Sequence, residues 1–378
     1  MKTPIDAPLS VYFLYAIVSA VYGRLRGNSG MYLLGDLFQI FEFVAFFFLI
    51  TVSVRSRRVL HTFLSTGLIV LGVSSFSELW HWLSADVPFY IRVEGYNLPR
   101  ARGFVGALAL PVLLALSVSA RPRWVRALRV AVAVGTVAVV VLSFTRTLWL
   151  GCATALAVFV LAVPYRAWIV LLLAWILAGI SVTGLAVAWT EPDVSLYAAV
   201  KSRLLYTLQQ VHGNTLQRLR LIESQASSEN LKRNPLLGIG LGGTYDAFGA
   251  LPGMFSPDYG VHGLSFVEKH YIHTMYASVA LRLGLAGLGL YFWLMWSFCA
   301  AALRRYRSLR QQRNRLLLAG CVASAVGAAV MAFTAPVAFS HPTGGVLASI
   351  LALGFVTGRT DDQLCAKRRL ARWLLGRS

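Results

Sequence analysis

Apolar residues run through this chain in long, nearly unbroken stretches, separated by short polar turns that carry most of the charge. Ten stretches approach the length of a membrane crossing: 9–22, 31–54, 59–83, 103–120, 124–142, 147–163, 167–189, 273–303, 316–339 and 344–357. A crossing helix needs roughly 20 mostly apolar residues. The first stretch is the shortest with 344–357, and its pattern also suits a re-entrant or interfacial segment. In lipid every backbone polar group must be bonded internally, and no period-two alternation of a barrel is present, so the stretches predict helices. The expected fold class is all-α: a polytopic transmembrane helical bundle of about ten spans.

One long polar insertion interrupts this pattern, at 190–272. It divides the chain into N-terminal transmembrane helices (1–189), a loop (190–272), and C-terminal transmembrane helices with a basic tail (273–378). Such a length favours a functional loop over a plain connector. Its first part, 194–237, alternates apolar and polar residues at helical spacing. Its second part, 238–263, is rich in Gly and Pro and predicts irregular structure, with the glycines giving a flexible loop that exposes its backbone N–H groups.

Composition sharpens the picture. Of the 378 residues, 57% are hydrophobic and only 13% charged, against about 25% charged in a soluble domain. That excludes an ordinary globule, a disordered tail and a secreted disulfide scaffold. Cys152, Cys299 and Cys321 lie in apolar stretches and Cys365 in the basic tail, with no CxxC, so neither a disulfide framework nor a zinc site is indicated. The first stretch is followed by Gly23-Arg24-Leu25-Arg26-Gly27 rather than a small-residue cleavage site, so no cleavable signal is read.

Charge gives direction. Lys and Arg number 35 against 15 acids, a net +20. Of the 35, 21 fall in alternate turns and at the two termini, all on one side of the alternating spans. The positive-inside rule makes that side cytoplasmic, with both termini inside and the insertion on the outer side of the membrane. Basic residues that flank spans argue against nucleic-acid binding. The segment 367–373 is amphipathic, suited to an anionic inner leaflet or simply to a solubilising terminus.

Polar side chains near lipid are costly, so their placement points to function. They gather toward the outer ends of the spans. Glu78 and His81 share a helical face. Arg100 and Arg102 precede the fourth stretch. Ser143-Phe-Thr145-Arg146-Thr147 forms a tight turn between the fifth and sixth. His273 opens the eighth, Arg282 follows near the interface, and His341 lies between the ninth and tenth. Together they suggest a cavity lined by Arg and His, open to the outer leaflet. Each also has a plainer reading. Arg146 suits a turn arginine reaching lipid head groups; Arg92, Arg100 and Arg102 suit lipid phosphates; His341 suits a structural role. Asp36 and Glu42 fit a proton or ion relay, or internal pairing equally well. The eighth stretch is long, and about 20 residues back from Arg304 puts its outer boundary near Gly284, with Gly284, Gly287 and Gly289 predicting close approach of a neighbouring helix. Gly238-Ile-Gly240-Leu-Gly242-Gly243 satisfies GxGxxG, but without a preceding strand or a ribose-binding acid it is no dinucleotide site. His262, His270 and His273 lack the carboxylate spacing of a metal site.

Three motifs, in this order, resemble the O-antigen ligase and O-antigen polymerase superfamily of bacterial membrane glycosyltransferases. They are Ser143-Phe-Thr-Arg146-Thr147-Leu-Trp149-Leu-Gly151; Asn234-Pro235-Leu-Leu-Gly238-Ile-Gly240-Leu-Gly242; and His273-Thr274, nine residues, then Gly284-Leu-Ala-Gly287. The last departs from the family pattern in having Thr274 where Asn or Ser is usual. Gly23, Gly27-Asn28 and Asp36 also resemble many polysaccharide polymerases. The resemblance implies transfer of a glycan from an undecaprenyl-diphosphate carrier to a sugar hydroxyl on a growing glycan or on lipid A-core, at the periplasmic face, without metal or other cofactor. It implies catalytic roles for His273, Arg220 and Arg146. Arg218 is a close rival to Arg220, and Arg218, Arg100, Arg102, Arg203, Arg282 and His341 are the expected diphosphate or glycan ligands. The chemistry is coherent: arginine offers permanent charge and bidentate bonds to phosphate oxygens, and histidine can accept the proton of an attacking hydroxyl. Direct attack at the anomeric carbon inverts configuration. A polymerase is favoured over a ligase on the N-terminal likeness. The rival reading is a transporter of lipid-linked oligosaccharide or of anions, which would favour a midplane site and repeat symmetry; neither is visible.

Overall fold

The computed structural model describes residues 3–84, 90–93, 96–99, 101–119, 122–143, 145–162, 225, 227–245, 272, 274–333, 335, 337 and 342–375. Among them run nine long helices: α1 (Asp6–Leu25), α2 (Gly30–Ser53), α3 (Arg57–Leu83), α4 (Phe104–Val118), α5 (Arg123–Leu142), α6 (Arg146–Leu161), α7 (Met275–Ser308), α8 (Gln312–Met331) and α9 (Thr343–Leu375). The protein is a polytopic helical membrane protein. Six of these helices (α1, α2, α3, α5, α7 and α8) are long and apolar enough to cross a membrane; α4, α6 and the Thr343–Arg359 part of α9 are shorter and apolar. Nine of the ten predicted stretches thus coincide with helices, including the weak first one. The seventh, 167–189, lies outside the described residues.

Local signals explain several boundaries. Ser56 caps α3, its Oγ accepting from the backbone N–H of Val59 at 3.3 Å, which satisfies one of the orphan donors of a helix start. Pro122, with φ −64°, is preset for the entry into α5. The ninth stretch stops at Met331, earlier than the apolar pattern predicts. The tenth stretch, predicted over 344–357, continues as α9 through the basic tail to Leu375, about 50 Å at 1.5 Å per residue. A short antiparallel hairpin, β1 (Tyr90–Val93) and β2 (Tyr96–Pro99), pairs Val93 with Tyr96 and Tyr90 with Pro99. Sequence reasoning missed it. Its signal is Glu94-Gly95, a two-residue linker between β-prone runs.

The centre of the bundle is α8. It packs on α4, α6, α9 and α7, and small residues allow the approach. A Cβ on Gly320 would meet the Pro111 carbonyl oxygen at 2.8 Å, and one on Gly327 the Ala155 Cβ at 2.7 Å. On α6, a Cβ on Gly151 would overlap Met331. Between membrane helices such packing supplies the attraction that hydrophobicity cannot. The short α4 is buried continuously from Ala107 to Ser117, so neighbours rather than lipid cover it. Aromatic edges of Phe47, Phe298 and Phe355 join α2, α7 and α9.

The bundle has two chemically different ends. At the basic end, Tyr306 donates to the Ala162 carbonyl at 3.0 Å, Arg305 to that of Gly358 at 2.9 Å, and Arg129 to that of Leu116 at 2.7 Å. At the opposite end, here the loop end, lie the turn between α1 and α2, the hairpin, the 143–147 turn, the start of α7 and the finish of α8.

Candidate functional site

Residues 234–245 dock on the loop end and are held almost entirely through backbone groups. Their glycines have a steric reason. Gly238, Gly240 and Gly242 all have positive φ (64°, 84° and 74°), a region open to glycine and strained for other residues. A Cβ on Gly240 would sit 2.6 Å from the Gly23 Cα, and one on Gly23 would overlap the Leu241 carbonyl oxygen. Contrary to expectation, the glycine run is a packed crossing, not a flexible loop with exposed amides: Ile239 and Leu241 are buried. Asn28 clamps it from α2's approach, its Nδ2 donating to the carbonyls of Ile239 and Leu241, both at 3.0 Å.

The crossing completes a break in α7. Gly284 has φ 66° and ψ −173°, dividing that helix into 275–283 and 285–308. A break frees the last carbonyls of the first piece, and in lipid each unpaired one costs several kcal/mol. Three of them are taken up. The Leu281 carbonyl accepts from the Ile239 N–H at 2.8 Å, and that of Arg282 from the Gly240 N–H at 3.1 Å. Ser19 Oγ also donates to the Arg282 carbonyl at 3.2 Å. The Tyr15 hydroxyl lies 3.0 Å from the Leu283 carbonyl and 2.7 Å from that of Leu236. On the other side, the Leu285 N–H donates to the Pro235 carbonyl at 2.8 Å. The predicted neighbour at Gly284 was a helix; the partner is this loop, and Gly289 faces open space.

Asp36 joins the same crossing. Its carboxylate is buried, accepting from the Gly242 N–H at 2.9 Å and from the Arg282 guanidinium at 2.5 Å. Of the two readings of Asp36, internal pairing is therefore the observed one. Glu42 is also buried, beside Gly345 at the start of α9. Arg282, expected at the interface among the diphosphate ligands, is 9% exposed and engaged with Asp36.

The start of α7 is fixed from several directions. Met275 N–H donates to the Ala332 carbonyl at 3.0 Å, and Tyr276 hydroxyl to that of Ala329 at 2.8 Å. Ile272 is buried with Ile239, Tyr245 and Leu281. Ser227, from a helical stretch at 227–233, donates to the Ala277 carbonyl at 3.3 Å. His273 itself, with Arg220, Arg218, Arg203, Arg100 and His341, lies outside the described residues.

Two further sequence-predicted residues are described. Arg146 is the first residue of α6 and half-buried. The turn before it is tight: Ser143 Oγ donates to the Val140 carbonyl at 2.7 Å, Thr145 Oγ1 to that of Ser143 at 2.9 Å, and Trp149 Nε1 to that of Val140 at 3.0 Å. A helix N-terminus carries partial positive charge, so guanidinium and helix end favour an anion together. Arg102 is exposed, and its backbone N–H donates to Glu78 Oε2 at 2.9 Å. Ala101 N–H donates to the Leu142 carbonyl at 3.2 Å, which sets the Arg102 segment against the 143–147 turn. The starts of α6 and α7 both stand against the finish of α8: Gly151 abuts Met331, and Ala332 receives Met275. No group of three or more His, Cys, Asp or Glu side chains suited to a metal ion occurs among the described residues.

Residues 130–292, spanning the Arg146 turn, the glycine crossing and the α7 break, match the family model described as O-antigen ligase. Over that segment the match supports the O-antigen ligase/polymerase superfamily. That family supports glycosyl transfer of the O-antigen ligase or polymerase type, with lipid-linked glycan and polysaccharide substrates in general. No curated protein matches the chain. Among solved structures, a chain from "Structural coordination of polymerization and crosslinking by a peptidoglycan synthase complex" is similar at 18% identity and TM-score 0.45, over 95% of this chain and 96% of that one. The O-antigen ligase match starts inside α5 and ends inside α7, so α8, which the site rests on, lies beyond it.

Proposed function

We propose that this protein transfers a glycan from a polyprenyl-diphosphate carrier to a sugar hydroxyl at the loop end of the bundle, which faces the periplasm in the inner membrane. Arg146 and Arg220 bind the diphosphate, aided by Arg218 and the exposed Arg102, and His273 accepts the proton of the attacking hydroxyl. As the anomeric bond breaks, charge develops on the departing diphosphate, and fixed guanidinium groups stabilise it without reorganising. The prenyl chain stays in lipid. Attack is direct, so configuration inverts. Arg282 is assigned to positioning instead, because Asp36 already engages it. Arg100, Arg203 and His341 remain proposed glycan contacts.

One observation carries this reading: the crossing at 234–245 and the break at Gly284 are built into each other, and Ile272, the residue before position 273, is buried against that crossing. The second and third resembling motifs therefore meet in one construction, and the first stands against α8, which also receives Met275. The test is purified protein incubated with polyprenyl-diphosphate glycan and acceptor. A ladder of product lengths indicates a polymerase, which is favoured; a single shift on lipid A-core indicates a ligase. His273→Ala is expected to slow transfer by about 10²–10⁴-fold, the range of a lost general base, with donor binding kept. Full activity in that variant would remove the base assignment. Flipping of the lipid-linked glycan in liposomes with no new glycosidic bond would replace the whole reading by a transporter.

A further inference from the structure

The basic end holds a cluster the transfer reaction does not use. Arg313, at the start of α8, reaches α3 with its guanidinium 3.1 Å from His61 Nε2. Arg129 on α5 donates to the Leu116 carbonyl in the last turn of α4. Arg57 and Arg129 lie within Coulombic range of both His61 and Arg313. Three guanidinium groups and an imidazole thus come together from α3, α5 and α8. Their contacts are a carbonyl and each other, with no carboxylate among the described residues. An arginine that donates to imidazole leaves that ring nitrogen as an acceptor, so the pair does nothing to offset the positive charge. Arg129 Nε is moreover buried and without a hydrogen-bond partner. Buried donors on a cation are normally satisfied, and like charges this close repel.

Arginine side chains that gather without acids fit a phosphate oxyanion, which accepts bidentate bonds from each guanidinium. The surroundings select a lipid as its source. On the same helices, Val59, Trp124 and Leu128 are exposed apolar residues beside the cluster, 41%, 73% and 53% exposed. They offer acyl chains an apolar surface at the same end of the bundle. Basic pockets between transmembrane helices on the cytoplasmic side recognise anionic head groups in this way.

We propose that Arg57, His61, Arg129 and Arg313 form a binding site for the phosphate head group of an anionic phospholipid at the basic end of the bundle.

The experiment uses the full-length protein in zwitterionic detergent micelles, titrated with diphosphatidylglycerol, phosphatidylethanolamine or inorganic phosphate, and reads thermal unfolding and retained lipid by native mass spectrometry. Diphosphatidylglycerol is expected to raise the unfolding temperature saturably and to stay bound, while the other two do little. Arg129→Gln and Arg313→Gln should each weaken the apparent affinity by about 5-fold, the effect of one basic residue near an anionic surface. Arg55→Gln/Arg58→Gln, which removes two exposed charges from the same end, should leave the titration unchanged. The proposal is overturned if that control loses as much affinity as the cluster variants, since the attraction is then diffuse. It is equally overturned if phosphatidylethanolamine binds as well. Equal stabilisation by inorganic phosphate would make the site one for free phosphate and reject the lipid. Should the Gln variants fail to fold, Arg129→Lys/Arg313→Lys keeps the charge but not the bidentate donors, and unchanged affinity there would reject guanidinium recognition.

Discussion

Asp36 and Arg282 meet across 246 residues of sequence. Removing one member of a buried pair leaves the other charge uncompensated, at a cost of about 3–5 kcal/mol. Asp36→Asn should therefore lower the unfolding temperature of the detergent-purified protein markedly, and it should reduce transfer through misplacement of the loop crossing. Asp36→Asn/Arg282→Met, which removes both charges, is expected to recover part of the stability lost, as thermal unfolding would register. Arg146 differs: it is half-buried at a helix start, so Arg146→Ala should fold. Loss of one fixed donor to a developing anion is expected to cut turnover by about 10²–10³-fold, which single-turnover transfer kinetics would measure. At this scale the sequence was partly legible. Asp36 was visible as an expensive acid in an apolar stretch, but its partner was not. Pairing over such a separation depends on how α2 and α7 approach, which no local pattern encodes. Arg282 misled for the same reason: its distance from Arg304 indicates depth along the helix, not which way the side chain faces.

The elements show where local pattern succeeds and where it stops. Apolar runs of sufficient length locate helices, and all but the ends of the ninth and tenth within a few residues, because lipid enforces the helix regardless of neighbours. The same runs are silent on breaks. Counting back from Arg304 marked Gly284 as a depth; the structure makes it the place where α7 is divided. The reason lies outside α7, in the N–H groups of Ile239 and Gly240 and the hydroxyls of Ser19 and Tyr15 that receive the freed carbonyls. The glycines of the crossing looked like flexibility because their composition is that of a loop, whereas here they permit contact with Gly23, Leu33 and Leu281. Gly240→Ala is accordingly expected to release the crossing, since its Cβ would strike the Gly23 backbone and its φ of 84° would be strained. Faster limited proteolysis within 234–245, with the helical circular dichroism kept, would register this.

For the whole molecule, small residues on α8 set how closely the parts stand. Gly327→Leu has no room beside Ala155 and the Gly151 carbonyl. Overpacking of a tight interface typically costs about 1–3 kcal/mol. Because α8 also receives Met275, transfer should fall with stability in this variant, and a thermal shift with an activity assay would test the pairing. The two ends of the bundle also make a topological expectation. A cysteine placed at Arg102 should react with an impermeant maleimide added to intact spheroplasts, and one placed at Arg310 should react only after lysis.

The divided α7 bears on how the chain is assembled. Unbroken, 34 residues would form a rod of about 51 Å, well beyond a hydrocarbon layer of about 30 Å. Residues 234–245 leave the ribosome before α7 does, so the strip that will splint its fracture is already made when the helix arrives. A chain truncated after Ser308 and released into a bilayer should then already protect the amides of Ile239 and Gly240 from exchange, without α8 and α9.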